Sequence, residues 1–329
     1  MTLCILGGGG WGTGLAIVLA PKCETVRLWV YERDLALRIA ATRENDIYLP
    51  GLPLPASVEV TADLGVALQG AKIVLGVMPS RHARSLWTQA LPHLHATMIF
   101  VSAIKGVENG TLLRMSEVLA DTVDFQPRVA VLSGPTFARE VARGEPTAVV
   151  VASADKETAG LVQAAFAGPT FRLYTNSDVI GVETGGALKN VIAIAAGVVQ
   201  GLGLGNNSMA ALITRGLAEI SRLAVAMGGE ARTLAGLAGL GDLVLTCTGE
   251  LSRNRRVGIE LAKGRTLAEI TASTPMIAEG VETCAAAVAL GRKFDVDLPV
   301  IEQMHLVLNE SKNPRTAIRD LMERALKSE

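Results

Sequence analysis

A glycine-rich segment, Gly7-Gly8-Gly9-Gly10-Trp11-Gly12, follows directly on the apolar run Leu3-Cys4-Ile5-Leu6 and precedes a stretch of helical character. The segment matches the pattern G-x-G-x-x-G in its strand–turn–helix context. Gly7 permits a tight turn, Gly9 lets the backbone approach a pyrophosphate, and Gly12 permits close helix packing. The helix N-terminus supplies unpaired N–H groups and a positive dipole end. The segment therefore predicts a dinucleotide-binding site.

Glu32 lies twenty residues beyond Gly12, at the end of the next predicted strand. An acidic residue there accepts hydrogen bonds from the ribose hydroxyls of NAD and repels the 2′-phosphate of NADP, whereas the adjacent Arg33 would attract that phosphate. Tyr31 is expected to lie against the adenine. These residues predict a nicotinamide cofactor, NAD or NADP, and leave the choice between the two open.

Lys189 is the second residue whose surroundings suggest chemistry. It opens a predicted helix of otherwise uncharged residues that runs to Gln200, and the segment from Val191 to Val199 is apolar on every side. Such a helix is expected to be buried, and a buried lysine needs a partner or a chemical task. Lys189 is therefore a candidate functional residue.

Several motifs follow one another along the chain: the glycine loop with Trp11, Tyr48-Leu49-Pro50-Gly51, Ala103-Ile104-Lys105-Gly106, Ser133-Gly134-Pro135-Thr136-Phe137-Ala138, Gly186-Ala187-Leu188-Lys189-Asn190-Val191, Gly239-Leu240-Gly241-Asp242-Leu243 and Ser252-Arg253-Asn254. In this order they resemble the NAD(P)-dependent sn-glycerol-3-phosphate dehydrogenases, and the soluble bacterial type most of all. The resemblance spans nearly the whole chain. It implies reversible hydride transfer between NAD(P)H and dihydroxyacetone phosphate, which gives sn-glycerol 3-phosphate for glycerophospholipid synthesis.

The resemblance also implies roles for individual residues. Lys189 would be the catalytic acid/base, with Lys105 and Asp242 beside it. The implied substrate contacts are Lys105, Gly134, Thr136, Lys189, Asp242, Ser252, Arg253 and Asn254. Together with the motif positions Gly7, Gly9, Gly12 and Glu32, the implied cofactor contacts are Gly10, Trp11, Tyr31, Lys105, Ala138, Arg253, Ile277 and Glu279.

These roles agree with what the reaction needs. Ketone reduction requires a hydride and a proton for the developing alkoxide, and a lysine ammonium can stabilise that charge and deliver the proton. The segment Ser252-Arg253-Asn254 offers a hydroxyl, a guanidinium and an amide to a substrate phosphate.

Two segments depart from the family pattern. The loop reads Gly-Gly-Gly-Gly where the family usually has Gly-Ala-Gly-Ser, so any contact from Gly10 must come from its backbone. The stretch Trp29-Val30-Tyr31-Glu32 looks more like the NAD-using eukaryotic branch than the typical bacterial sequence. The cofactor preference therefore stays open.

The elements that position these residues form two predicted domains. Short apolar runs alternate with helical stretches in the first half, which predicts an α/β fold with a Rossmann-like, doubly wound parallel sheet. Its strands are predicted at Thr2 to Leu6, Thr25 to Val30, Val58 to Val60, Ile73 to Met78, Met98 to Ser102, Arg128 to Leu132, Ala148 to Ala152 and Phe171 to Tyr174. Residues 1–178 would bind the dinucleotide, and residues 179–329 would form an all-α domain for substrate binding and catalysis.

Composition excludes other classes. The 49% hydrophobic content excludes disorder, and the net charge of −1 with 4% aromatic residues argues against a nucleic-acid partner. The four cysteines and four histidines show no metal-ligand spacing, so we predict no metal site. The glycines in the first apolar stretch argue against a membrane span there. We therefore expect a cytoplasmic protein, and the resemblance implies a homodimer.

Two alternatives remain at this stage. Another lysine-dependent hydroxyacid dehydrogenase would also use Lys189, but its substrate contacts would not be Ser252-Arg253-Asn254. A nicotinamide-binding regulator would bind the cofactor without turnover.

Overall fold

The computed structural model describes residues 1–273 and 278–326. They form two compact units, the first comprising Met1–Lys105 and Leu113–Glu183, and the second Gly106–Leu112 with the described part of Thr184–Glu329. The domain boundary at residue 178 stays a prediction, and nothing in the sequence had pointed to the grouping of Gly106–Leu112 with the second unit.

All eight predicted strands are present in the first unit, with ends that differ from the prediction by up to two residues. They are β1 Thr2–Leu6, β2 Thr25–Trp29, β3 Val58–Thr61, β4 Ile73–Gly76, β5 Ile99–Ser102, β6 Arg128–Ser133, β7 Thr147–Ala152 and β8 Phe171–Asn176. Several are buried along their whole length because helices cover both faces of the sheet.

The strands form one sheet in the order β3-β2-β1-β4-β5-β6-β7-β8. Strands β1 to β6 are parallel, but β7 runs antiparallel to β6, and β8 is parallel to β7. The predicted doubly wound, parallel sheet is therefore confirmed for most of its strands, and the antiparallel strand β7 was not predicted. The connection from β6 contains the helix Ala138–Ala142, about 8 Å long. That is too short to carry the chain back along β6, which is about 20 Å long.

Helices flank this sheet: α1 Gly10–Leu19, α2 Arg33–Thr42, α3 Leu64–Leu68, α4 Ala83–Ala90, α5 Met115–Thr122, α6 Ala138–Ala142 and α7 Lys156–Phe166. Short 3₁₀ turns lie at Ala20–Lys22, Ser80–His82 and Leu91–His93. Alternate residues of β1 enter opposite layers. Leu3 and Ile5 join the cluster that contains Leu15 of α1, whereas Cys4 joins the cluster that contains Trp87 of α4.

No strand occurs after β8 in the part of the chain that the structure describes, as predicted. The helices there are α8 Val179–Gly201, α9 Asn206–Ala226, α10 Ala231–Leu234, α11 Asp242–Thr248, α12 Arg253–Ala262, α13 Leu267–Ala272, α14 Glu279–Lys293, α15 Pro299–Asn309 and α16 Pro314–Met322, with a π-helical turn at Leu237–Gly241. The second unit packs around the C-terminal part of α8, where Val191, Ile192 and Ala196 are fully buried.

Two helix starts were predicted too late. Helix α1 begins at Gly10, within the glycine-rich segment rather than after it, and Lys189 lies in the middle of α8 rather than at its start. Within α8, Gly185 permits close packing. A Cβ at Gly185 would lie 2.8 Å from the carbonyl oxygen of Ala238.

Helix α8 is long and apolar enough to cross a membrane by length and composition. However, 89% of its most apolar window is buried inside the protein. This is the environment of a core helix, and such a helix passes the same composition test.

Candidate active site

The glycine loop connects the carboxyl end of β1 to the first turn of α1. Gly7 has a φ of +128°, which side-chain-bearing residues rarely adopt. A Cβ at Gly12 would lie 1.8 Å from the carbonyl oxygen of Gly7, whereas a Cβ at Gly9 would have no atom within 4 Å. Because β1 pairs with both β2 and β4, the loop opens at the point where the strand order reverses. Doubly wound sheets bind dinucleotides at this point.

Two further features fit a nicotinamide dinucleotide at this loop. The open space at Gly9 lies at the N-cap of α1, so a phosphate placed there would meet the unpaired N–H groups of the first helical turn. The indole Nε1 of Trp11 is buried and has no hydrogen-bond partner among the described residues. The loop thus offers both space and a donor.

Asn45 is a residue of this site that the sequence analysis missed. Its side chain is fully buried, and Nδ2 donates to the carbonyl oxygen of Gly8 and to Oγ1 of Thr13, both at 2.8 Å. Its Oδ1 accepts a hydrogen bond from the backbone N–H of Tyr48 at 3.1 Å. Asn45 therefore fixes the glycine loop to the segment that begins at Tyr48. No local sequence signal marks such a contact.

Glu32 and Tyr31 lie beyond β2, as predicted. Glu32 is the N-cap residue of α2, and its Oε1 accepts a hydrogen bond from the hydroxyl of Tyr48 at 3.1 Å. Tyr31 is 76% exposed and makes an edge-to-face contact with Trp29. Arg33 is exposed at the first position of α2. Both charges are thus accessible to a ligand.

Lys105 follows β5 and reaches the segment that follows the neighbouring strand β6. Its Nζ donates to the carbonyl oxygen of Gly134 at 3.1 Å and to Oγ1 of Thr136 at 3.3 Å. These three predicted residues therefore lie together in the first unit. Ala138 begins α6, and its carbonyl oxygen would lie 2.9 Å from a Cβ at Gly14. The absence of a side chain at Gly14 thus lets α1 and α6 approach closely.

Lys189 and Asp242 form a buried ion pair in the second unit. Lys189 is 5% exposed and Asp242 is fully buried. The ammonium group of Lys189 donates to Oδ1 of Asp242 and, at 2.9 Å, to Oγ1 of Thr246. Gly185, one turn before the lysine, lets the chain leading to Asp242 approach α8. The structure therefore brings together the predicted pair.

Thr246 was not predicted, although it lies four residues after Asp242 and so shares a face of α11 with it. The neighbouring Cys247 is also fully buried, beside the Lys189–Asp242 pair. Burial raises the pKa of its thiol to about 12, and the Lys189 and Asp242 charges act on that pKa in opposite directions. The ion pair is therefore held in a poorly solvated environment, where charge interactions are strong.

The predicted phosphate-binding segment begins α12. Ser252 caps this helix by accepting from the backbone N–H of Arg255 at 3.2 Å, and Arg253 is exposed in the first turn. Asn254 is buried, with Nδ2 donating to Oδ1 of Asn190 at 3.0 Å and Oδ1 accepting from the N–H of Gly280 at 2.9 Å. The guanidinium thus sits at a helix N-terminus, and Asn254 connects α12 to α8 and α14.

Two predicted cofactor residues remain. Ile277 lies outside the described residues. Glu279 is half-buried and begins α14.

Comparison with known proteins gives a consistent result. A family model described as the NAD-dependent glycerol-3-phosphate dehydrogenase N-terminus matches residues 2–159, and the model of the C-terminus of the same family matches residues 178–319. Together they cover most of the chain.

Individual relatives agree with the family match. A protein of Koribacter versatilis named glycerol-3-phosphate dehydrogenase [NAD(P)+] is 58% identical over 98% of this chain and 97% of its own. A protein of the same name from Syntrophotalea carbinolica is 51% identical over 100% and 99%. The crystal structure of glycerol-3-phosphate dehydrogenase from Coxiella burnetii is 41% identical, with a TM-score of 0.93 over 98% of this chain and 99% of its own.

Proposed function

The chain belongs to the NAD-dependent glycerol-3-phosphate dehydrogenase family, and we propose that Lys189 and Asp242 are the centre of its catalytic apparatus. It is an NAD(P)-dependent oxidoreductase that catalyses reversible hydride transfer between the nicotinamide cofactor and dihydroxyacetone phosphate, giving sn-glycerol 3-phosphate. The observation that carries the assignment of roles is the buried Lys189–Asp242 pair.

The cofactor site is proposed at the glycine loop. Its residues would be Gly7, Gly9, Gly10, Trp11, Gly12, Tyr31, Glu32, Lys105, Ala138, Arg253, Ile277 and Glu279. Backbone N–H groups at the start of α1 would hold the pyrophosphate. When bound, the nicotinamide supplies or accepts the hydride.

Lys189 would donate the proton that the substrate oxygen needs. As the hydride reaches C2 of dihydroxyacetone phosphate, negative charge develops on the C2 oxygen, and an ammonium beside it stabilises that charge and gives up a proton. Asp242 and Thr246 accept hydrogen bonds from Lys189 and so hold its Nζ in one orientation. In the reverse reaction the neutral amine takes the proton from the alcohol.

The substrate phosphate is proposed to bind at Arg253. A guanidinium at a helix N-terminus combines charge-assisted hydrogen bonds with the positive end of the helix dipole. Ser252 and Asn254 flank Arg253 at the start of α12 and are proposed to contact the substrate as well. The remaining proposed substrate contacts are Lys105, Gly134 and Thr136.

The decisive experiment measures initial rates with NADH and NADPH in parallel. We expect oxidation that depends on dihydroxyacetone phosphate, and little with unphosphorylated dihydroxyacetone. A panel of keto acids tests the alternative of another hydroxyacid dehydrogenase, and would replace the assignment if one of them were the better substrate. Tight cofactor binding without turnover on any phosphotriose would instead indicate a regulator.

Three further properties are proposed on the family resemblance. The product supplies glycerophospholipid synthesis, the protein is soluble in the cytoplasm, and it forms a homodimer. Light scattering on the purified chain tests the last of these, because a monomer would have the 34.4 kDa of one chain.

A further inference from the structure

Tyr48 links the two parts of the proposed cofactor site in the first unit. Its backbone N–H donates to Asn45, which in turn holds the glycine loop at Gly8 and Thr13. Its side-chain hydroxyl donates to Oε1 of Glu32 at 3.1 Å. A continuous series of hydrogen bonds therefore runs from the loop to the carboxylate.

The backbone of Tyr48 is also in close contact with the start of α1. A Cβ at Gly10 would lie 2.8 Å from the carbonyl oxygen of Tyr48, closer than such contacts allow. Glycine at position 10 therefore lets the Tyr48 backbone sit directly against the loop. The hydrogen bond from its N–H to Asn45 and this close approach at Gly10 place the Tyr48 backbone against the loop.

The hydroxyl of Tyr48 acts on a side chain that would otherwise be mobile. Glu32 is exposed, and an exposed glutamate samples several rotamers. The bond from Tyr48 engages Oε1, while Oε2 has no hydrogen-bond partner within residues 1–273 and 278–326. Burial and the Glu32 carboxylate raise the pKa of the Tyr48 phenol, so the hydroxyl stays protonated and remains a donor.

We propose that Tyr48 is a positioning residue for cofactor specificity, which holds Glu32 so that its carboxylate accepts from the adenosine ribose hydroxyls and disfavours a 2′-phosphate. The inference deepens the proposed function, since it rests on the glycine loop as the nicotinamide cofactor site. It resolves the opposed charges of Glu32 and Arg33 in favour of NAD. A carboxylate held in place repels the phosphate more effectively than one that can rotate away.

The test is a fluorescence titration of NADH and NADPH without substrate, on the full chain and three variants. Tyr48→Phe removes the hydroxyl and keeps the charge, Glu32→Gln removes the charge and keeps an acceptor, and the third variant combines both. Tyr174→Phe is the matched control, because Tyr174 is an exposed tyrosine on β8 whose hydroxyl accepts from Arg172.

We expect the parent to bind NADH more tightly than NADPH. Tyr48→Phe should reduce the ratio of the two Kd values by about two- to tenfold, the scale of one hydrogen bond. Glu32→Gln should reduce it at least as much, and the double variant should match Glu32→Gln alone, because Tyr48 acts through the carboxylate. Tyr174→Phe should leave the ratio unchanged.

A parent that prefers NADPH would overturn the proposal. The proposal would also be overturned if Tyr48→Phe weakened the binding of both cofactors equally or of neither. The same holds if, in the double variant, the effects of the two substitutions on the ratio of Kd values multiplied. Since the titration contains no dihydroxyacetone phosphate, it is independent of the catalytic assignment. A chain that showed the expected ratios but no turnover would contradict the proposed function alone.

Discussion

The glycine loop of the first unit and the Lys189 cluster of the second are built in opposite ways. Around Gly9 a Cβ would meet no atom within 4 Å, and the groups offered to a ligand are backbone N–H groups and exposed side chains. Lys189, in contrast, is 5% exposed and paired with an aspartate that is fully buried. The glycine loop provides space for a ligand because it lacks side chains, whereas the Lys189 cluster consists of buried charged side chains.

This difference predicts how each region responds to substitution. Changes to exposed groups of the first unit should alter cofactor affinity and leave folding intact. Removing one member of a buried ion pair leaves an uncompensated charge, which costs about 3–5 kcal/mol of stability. Loss of Lys189 or Asp242 should therefore appear in both activity and stability.

The largest effect is expected for Lys189→Met. Loss of the general acid/base should lower kcat by about 10²-fold or more, while the affinity for NADH, measured by fluorescence, should be retained. The variant should also be less stable, because Asp242 loses its counter-ion. Near-parental kcat would make Lys189 a structural residue.

Two companion variants separate the loss of activity from the loss of stability. Lys189→Met combined with Asp242→Asn should regain stability without regaining activity, since it leaves no unpaired charge. Lys263→Met removes an exposed lysine of the same unit, which pairs with Glu260, and should change neither property appreciably.

Glu219 is a second buried carboxylate of the second unit, and no residue that the structure describes forms an ion pair with it as Lys189 does with Asp242. It accepts from the N–H groups of Val300 and Ile301 at the start of α15. Burial raises its pKa from 4.5 to about 7, partly opposed by these bonds and by Arg222 and reinforced by Asp297. Between these two values the folded chain retains a proton that the unfolded chain has released. The Glu219 carboxyl therefore contributes about 3 kcal/mol to the free energy of unfolding below pH 4.5. This contribution is lost as the pH rises through about 7.

Urea titrations of the full chain at pH 5 and pH 8 measure this loss. Glu219→Gln should lessen the decline in the free energy of unfolding, whereas Glu302→Gln, an exposed residue on α15, should retain it. If the free energy of unfolding of Glu219→Gln declined between pH 5 and pH 8 as much as that of the parent, the Glu219 carboxyl would have an ordinary pKa in the folded chain.

Arg253→Ala tests an exposed charge of the second unit, where folding should survive. Loss of a hydrogen bond to a charged group costs about 1.5–3 kcal/mol, or about 10- to 150-fold in kcat/KM for dihydroxyacetone phosphate. Unphosphorylated dihydroxyacetone, a poor substrate throughout, should show a much smaller difference between parent and variant. If kcat/KM for the phosphorylated substrate changed by less than about twofold, the phosphate must bind elsewhere, with Arg255, Arg256 and Lys105 as candidates.

The sequence was informative where the signal is local. Strands buried on both faces are continuous apolar runs, and the glycine motif has a fixed spacing, so both could be located before the structure was known. The antiparallel placement of β7 could not be predicted, because the same apolar run suits either direction.

Contacts between segments that are distant in the sequence could not be predicted either. Asn45 lies between two recognised motifs and belongs to neither, yet it joins them through three hydrogen bonds. Thr246 shares a helix face with Asp242, so its spacing alone would have made it a candidate. The network in which Arg114 and Ser116 bind the buried Glu183 had no sequence signal at all.

Gly9→Ala is expected to have the smallest effect, and it tests the glycine loop directly. Gly9 has φ −71° and ψ −178°, which alanine adopts readily, and the added Cβ meets no protein atom. Folding should therefore be unchanged, but a methyl group where the pyrophosphate approaches should weaken NADH and NADPH alike by about fivefold or more, the scale of about 1 kcal/mol of overpacking. Gly160→Ala in α7, where a Cβ also meets nothing within 4 Å, is the matched control and should leave cofactor affinity unaltered. If Gly9→Ala bound both cofactors as the parent does, no phosphate would approach this position, and the anion would have to be sought at another part of the loop.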